Sequence, residues 1–486
     1  MNRSLPLLPA IAAVLLAGCV STGQYRAAPI AVASAYGRGD AARNTPEQAL
    51  ALQASYPAHD IAADAWWRGF GDARLDRMVQ QALASNSDLA AAGLALRKAR
   101  LQAGLAETEL WPTASGSVAG SGSRATDRHD AFDRSYSASV SLDWEIDLWG
   151  KLRAQRDVAQ WEAAATDQDR ENTALALVGE VCSDYWQLAY LNQSIAAGEQ
   201  NLQRLEKTLQ LVQVQFGAGD VSRLELREAE QNLESQRTAQ SALLQQRVEV
   251  RNAIAVLLDG QPWPQADEPQ DLDAASSPAL AAGVPAELLA RRPDLRAAEL
   301  RLRESLAQIK ATARSYYPAL SLTGAIGGSS TALSDVVRNP VATLGAGLTL
   351  PFLNLHRARL DTRIAGTDYE IAATQFRTTL YTALSEVDNA LSAREQLAAQ
   401  VESANRSYQA ARDVERMYEV RYRSGASDLR TWLDAQQTLR ESELALALAR
   451  RQQLVADVTL YQALGGSAAE LKPPVAATSV AMRPYW

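Results

Sequence analysis

Between residues 135 and 216 the hydrophobic period of this chain changes once, from two residues to about 3.6, and does not change back. Even positions hold Tyr136, Ala138, Val140, Leu142, Trp144, Ile146 and Leu148, while odd positions hold Ser135, Ser137, Ser139, Ser141, Asp143, Glu145 and Asp147. The spacing predicts a strand over 135–148 with one apolar face and one wet face. Trp149-Gly150 ends the alternation, and no proline occurs between Pro112 and Pro262, so one unbroken helix over 151–216 is permitted. At 1.5 Å per residue a helix of that length spans about 100 Å. A two-faced strand feeding so long a helix is unusual for a soluble enzyme.

The same pattern occurs twice. Asp88-Leu89 returns as Asp294-Leu295, Gln102 as Gln308, Pro112 as Pro318, Glu180-Val181 as Glu386-Val387, Phe216 as Tyr422, Gly219 as Gly425 and Gly260 as Gly466, always 206 residues on. A constant offset over such a span means internal duplication. The first repeat, 86–260, predicts an opening helix capped by Ser87 or Asp88, strands over 113–121 and 135–148, and helices over 151–216 and 222–258. The second, 292–466, predicts strands over 319–327 and 342–352 and helices over 356–422 and 428–464. Segments 261–291 and 467–486, rich in Pro, Asp and Ala, read as a linker and a tail, and 19–85 as an N-terminal arm. Leu191, Ile195, Leu202, Leu205, Leu209, Val212 and Phe216 step mainly by threes and fours, as a coiled-coil seam does. Glu415 replaces Leu209 in the copy, so the two seams differ.

The chain opens with Met1-Asn2-Arg3, an apolar run over 5–16 and Leu16-Ala17-Gly18-Cys19, the layout of a signal peptide over 1–18 ending in a lipidation box. Similarity to bacterial lipoproteins implies acyl chains on Cys19, and Val20 after it favours the outer membrane. With Cys19 acylated, Cys182 has no intrachain partner and reads as a small core residue. Beyond the signal, no stretch offers the roughly 18 apolar residues of a spanning helix. A membrane crossing therefore has to be made by strands. Four strands cannot close a barrel, and open edges do not survive in hydrocarbon, so several copies must pool them. Apolar even positions then face lipid and polar odd positions line a wet lumen.

The run WWRGFGDARLDRMVQQALASNSDL at 66–89, RRPDLRAAE at 291–299, Tyr317-Pro318 and the two Gly turns resemble the TolC-type outer-membrane factors, in the lipoprotein branch that serves RND-type efflux pumps. The resemblance covers nearly the whole mature chain. It implies a mainly α fold with transmembrane β: a homotrimer whose twelve-stranded β-barrel continues as a twelve-helix periplasmic α-barrel. The arm, linker and tail become an equatorial collar. It further implies an exit duct for small molecules, an inner-membrane RND-type transporter that supplies energy, and a periplasmic adaptor docked on the hairpin tips. An outlet for protein secretion and a lipid-anchored coiled-coil scaffold are the alternatives.

At the tips, Gly219 and Gly425 supply a left-handed residue, and Ser222 and Asp428 are plausible caps. They are the adaptor-contact candidates, although any helical hairpin needs a glycine and a cap. By resemblance Asp434 matches a position whose carboxylates face the channel axis. An Arg430–Asp434 pair at i,i+4 spacing is the candidate periplasmic gate, with a solvated surface pair as the plainer alternative. Nothing in the sequence argues for catalysis, a cofactor or a metal: His59, His129 and His356 lack ligand spacing, and no phosphate loop or nucleophile elbow occurs. A net charge of −8 leaves no basic footprint for nucleic acid.

Overall fold

The computed structural model describes residues 65–124, 132–272, 278 and 291–466, with the backbone of two short antiparallel strands, β1 (Val32–Ala33) and β2 (Arg43–Asn44). Cys19, most of the N-terminal arm, much of the linker and the tail from 467 lie outside the described residues. In chain order a 3-10 turn at Trp66–Phe70 precedes α1 (Ala73–Ser85), α2 (Ser87–Thr108), β3 (Thr113–Ser123), β4 (Asp133–Ile146), α3 (Lys151–Ala218) and α4 (Arg223–Leu257). The second half follows with α5 (Pro293–Arg314), β5 (Ala319–Ser330), β6 (Val341–Thr349), α6 (Leu355–Arg423) and α7 (Leu429–Ala463). Among the described residues, 100–163 and 300–374 form one compact unit and the rest form a second. No described helix is long and apolar enough to cross a membrane.

The first unit holds one antiparallel sheet in the order β3-β4-β5-β6, so β3 and β6 each keep one side unpaired. The two halves meet at β4–β5, with Val140 opposite Ile326 and Trp144 opposite Leu322. Register carries the even positions of all four strands onto one face, as in the row Gly116, Val140, Ile326, Ala342. That face is bare: Val118 is 83% exposed and Leu344 91%. On the other face, hydroxyl pairs bridge the strands, Ser115 to Ser141 at 2.7 Å and Ser117 to Ser139 at 2.9 Å.

The predicted 135–148 strand stops early, at Ile146, because the chain turns there. Leu148 N–H donates to Ile146 O at 2.8 Å, and the Asp147 carboxylate accepts the amides of Leu152 and Arg153, both at 3.1 Å. Asp147 thus caps α3 instead of extending the strand. Gly150 completes the junction at φ 74°, where a side chain is strained. The 342–352 strand likewise ends at Thr349, and a 3-10 turn at Pro351–Leu353 follows, since Pro351 has no N–H for a ladder. The cap of α2 is Asn86, not Ser87 or Asp88: Asn86 Oδ1 accepts from Leu89 N at 3.0 Å.

Apart from β1 and β2, the described part of the second unit is helical. Trp66, Trp67, Phe70, Leu75 and Met78 form its largest core with Val178, Val181, Cys182, Tyr185 and Trp186 of α3, Ile254 of α4, and Leu454, Val458 and Tyr461 of α7. Trp66 stacks on Tyr461 at 4.6 Å. Asp72 caps α1 through Arg74 N at 2.8 Å and accepts the Tyr185 hydroxyl, which ties the turn to α3. Cys182 is buried among these residues, and burial pushes its thiol far up. The duplication persists in side chains: Asn86 Nδ2 donates to Leu257 O at 3.1 Å, and Arg292, its counterpart, donates to Ala463 O at 3.2 Å. Arg292 adds ion pairs to Asp294 at 2.7 Å and Glu386 at 2.6 Å.

Candidate functional site

The two long helices end in the same backbone motif. Gly219 N bonds Phe216 O at 3.1 Å and Asp220 N bonds Gln215 O at 2.9 Å; Gly425 N bonds Tyr422 O at 3.0 Å and Ala426 N bonds Arg421 O at 2.8 Å. This Schellman closure needs a left-handed residue, and the glycines supply it at φ 85° and 75°. No neighbouring atom lies within 4 Å of where either glycine would carry a Cβ, so both turns face open space.

Each return helix starts with a side-chain cap. Ser222 Oγ accepts from Leu224 N at 3.1 Å, while Glu225 accepts from Ser222 N at 2.8 Å and from the Ser222 hydroxyl, a capping box. Asp428 Oδ1 accepts from Thr431 N at 2.7 Å. The hydrogen bond from the Thr431 side chain, then that from its amide, holds the Asp428 carboxyl below the usual range, with Arg430 adding a smaller Coulombic part. The Glu225 carboxyl is lowered by its bond from Ser222.

Arg430 and Asp434 are both exposed, and no ion pair joins them. The expected i,i+4 contact is therefore corrected: Arg430 acts on Asp428 at the cap, and two solvated side chains gain too little from pairing to be held together. The Asp434 carbonyl accepts from Thr438 Oγ1 at 2.9 Å, while its carboxylate stays free toward solvent.

Sequence reasoning missed the cluster that joins the two tips. Leu205, Val212, Ala229 and Leu233 of the first hairpin pack with Leu429, Trp432 and Leu433 of the second. Tyr422 stacks on Trp432 at 5.2 Å and donates its hydroxyl to Gln215 Oε1 at 2.7 Å. Trp432 Nε1 donates to Glu415 at 3.1 Å, and farther up Gln236 accepts from Asn201 at 3.2 Å and Arg440 at 2.9 Å. The available signal was the break at Glu415, since a carboxylate in an apolar seam calls for a donor.

The family model described as outer membrane efflux protein matches residues 78–260 and 284–466, two segments that stand 206 residues apart. The pyoverdine export outer membrane protein OpmQ of Pseudomonas putida is 32% identical, covering 82% of this chain and 87% of its own length. The toxin and drug export protein A of Aggregatibacter actinomycetemcomitans is 27% identical, covering 82% of this chain and 88% of its own. The open-state crystal structure of the Neisseria gonorrhoeae MtrE outer membrane channel aligns with TM-score 0.79 at 26% identity, over 92% of this chain and 98% of that one. Helix order, sheet faces and both matched segments agree: the chain belongs to the outer membrane efflux protein family.

Proposed function

We propose that this channel protein is the passive exit duct of a tripartite efflux pump and works as a homotrimer. The observation that carries the reading is the four-stranded sheet, unpaired at both edges and apolar on one face. Such a sheet is untenable in lipid until other copies pair its edges, and three copies give twelve strands. The family is one of efflux ducts and not of enzymes, so the energy comes from a partner. An inner-membrane RND-type transporter supplies the energy, and a periplasmic adaptor docks at Gly219, Ser222, Gly425 and Asp428. Acylated Cys19 anchors the chain to the outer membrane beside its barrel. Asp434 and Arg430, exposed on α7, act as separate charges at the periplasmic gate.

Small toxic molecules are the proposed cargo. The test is deletion of the gene, followed by measurement of intracellular retention of a panel of hydrophobic drugs and of the set of secreted proteins. Increased drug retention, reversed by the wild-type gene, supports efflux. Unchanged retention with loss of a secreted protein overturns it in favour of a secretion outlet.

A further inference from the structure

The first unit builds one arrangement and leaves its copy half made. β4 runs into α3 and α5 runs into β5, and these two staves are joined: β4 pairs with β5, and α5 lies against α3. Arg314 Nη1 donates to Gly150 O at 2.9 Å, the Arg303 guanidinium lies 5.5 Å from the Trp161 ring centroid, and Arg301 pairs with Glu162 at 3.6 Å. Numbers fall along α5 as they rise along α3, so the helices are antiparallel. In the copy, β6 runs into α6 and α2 runs into β3, yet β6 and β3 are the unpaired edges of the sheet.

Comparing the two position by position shows what is missing. On the joined pair Ala154, Ala307 and Ala311 are 8% exposed or less and Val158 is half-buried; Ala154 and Ala307 line one cavity between the helices. The residues 206 positions away are Leu360, Leu101, Leu105 and Ile364, all larger and all 45–66% exposed. Leu101 and Leu105 share one face of α2, and Leu360 and Ile364 one face of α6, each an i,i+4 pair. These stripes are covered by protein in one half of the duplication and bare in the other. A second copy of the chain supplies the cover, because pairing its β3 with β6 of the first sets its α2 against α6 as α5 is set against α3.

We propose that Leu101 and Leu105 of one copy pack on Leu360 and Ile364 of the next, in a head-to-tail seam that closes the ring of chains. The change from alanine to leucine follows from connectivity. α3 and α5 are held at high effective concentration by their own chain, so small residues suffice; separate chains have to draw their association free energy from buried apolar area. Arg100 and Arg363 border the two stripes, which gives the seam an apolar core and a charged rim. The seam rests on the homotrimer proposed above and names the surface that holds its copies together.

The full-length protein in nonionic detergent tests the two levels separately. Asp143 pairs with Thr323 inside the chain, so the same offset sets Thr349 of one copy opposite Ser117 of the next. Ser117→Cys with Thr349→Cys therefore gives a disulfide-linked trimer on nonreducing gels, and a chain that still migrates alone overturns the homotrimer itself. The seam is read by subunit exchange between isotope-labelled and unlabelled trimers in native mass spectrometry. Leu101→Ala with Leu105→Ala speeds exchange about tenfold or more, and Leu360→Ala about fivefold. Helical circular dichroism is unchanged, since the joined half carries alanine at all three places. Combining the three substitutions speeds exchange by less than the product of the two effects, because both sides lose the same contact. Unchanged exchange, or effects that multiply, overturns the seam while the linked trimer stands. Leu105→Cys reads the same face by labelling: its thiol reacts with a water-soluble maleimide more slowly in the trimer than in the dissociated chain, and equal rates also overturn the seam.

Discussion

Glu415 stands where the first half has Leu209, and Trp432 where it has Leu226, so one contact between outgoing and returning helices has been rewritten on both sides. The first half keeps an apolar pair; the second has a hydrogen bond of 3.1 Å from indole to carboxylate. Glu415→Leu leaves a part-buried indole N–H unpaired, at a cost of about 1 kcal/mol. Adding Trp432→Leu restores the arrangement of the first half, so the double variant is more stable than the two single losses sum to, with a coupling of about 1 kcal/mol. Thermal melts of the four proteins measure it, and additive losses would remove the claim. Asp184 offers a pH test. Burial, then the charge of Glu180, pushes its carboxyl from 3.8 to about 6, against the opposing charge of Arg451. A carboxyl raised in the folded state favours folding while protonated, so its contribution is full below 3.8 and is lost as pH rises through about 6. Asp184→Asn therefore gains on the wild type as pH climbs through that window. Melting points that fall in parallel would show that this carboxyl is not responsible.

At the scale of elements, period and punctuation carried far. Alternation predicted the faces of β4, a proline-free run predicted α3, and Ser222 and Asp428 cap the helices expected of them. Asn86 escaped because three capping residues stand in a row; it is also the extended residue that closes α1, so one side chain serves two helix ends. The partner of β4 across the halves was not legible, since alternation states which face a residue occupies and not which strand lies beside it. The Arg430–Asp434 spacing was legible, but spacing permits a contact without making it favourable in water. The positive-φ glycines turn this into a prediction. Gly150→Pro imposes φ near −65° where the chain needs 74°, and a Cβ there meets Arg314 Nη1 at 2.9 Å. Gly219→Ala meets nothing within 4 Å and bears only left-handed strain of about 1–2 kcal/mol. Gly150→Pro abolishes the heat-resistant oligomer on semi-native gels, whereas Gly219→Ala and the loop variant Arg124→Pro retain it. Equal yields from all three would place the critical junction elsewhere.

Taken whole, the molecule is a half-finished object: its sheet is bare on the apolar face and unpaired at both edges, and neither feature is tolerable in water or in lipid alone. The proposed homotrimer resolves both at once, with lipid on one face and further copies at the edges, and in it neighbouring residues of one edge strand face different solvents. Leu344 and Thr343, adjacent in β6, make the sharpest comparison. Leu344 shares the apolar face with Gly324 and Leu142, while Thr343 shares the hydroxyl face with Ala325, Ser141 and Ser115. An arginine on the lipid side near mid-membrane costs about 2–4 kcal/mol, whereas one in an aqueous lumen keeps its hydration. Leu344→Arg therefore depletes folded protein from the outer membrane, and Thr343→Arg assembles but shifts single-channel selectivity toward anions. The pair also separates the duct from a soluble scaffold, in which both faces meet water and both variants assemble alike. Equal assembly of the two would sink the two-solvent reading, and depletion by Thr343→Arg alone would reverse the faces.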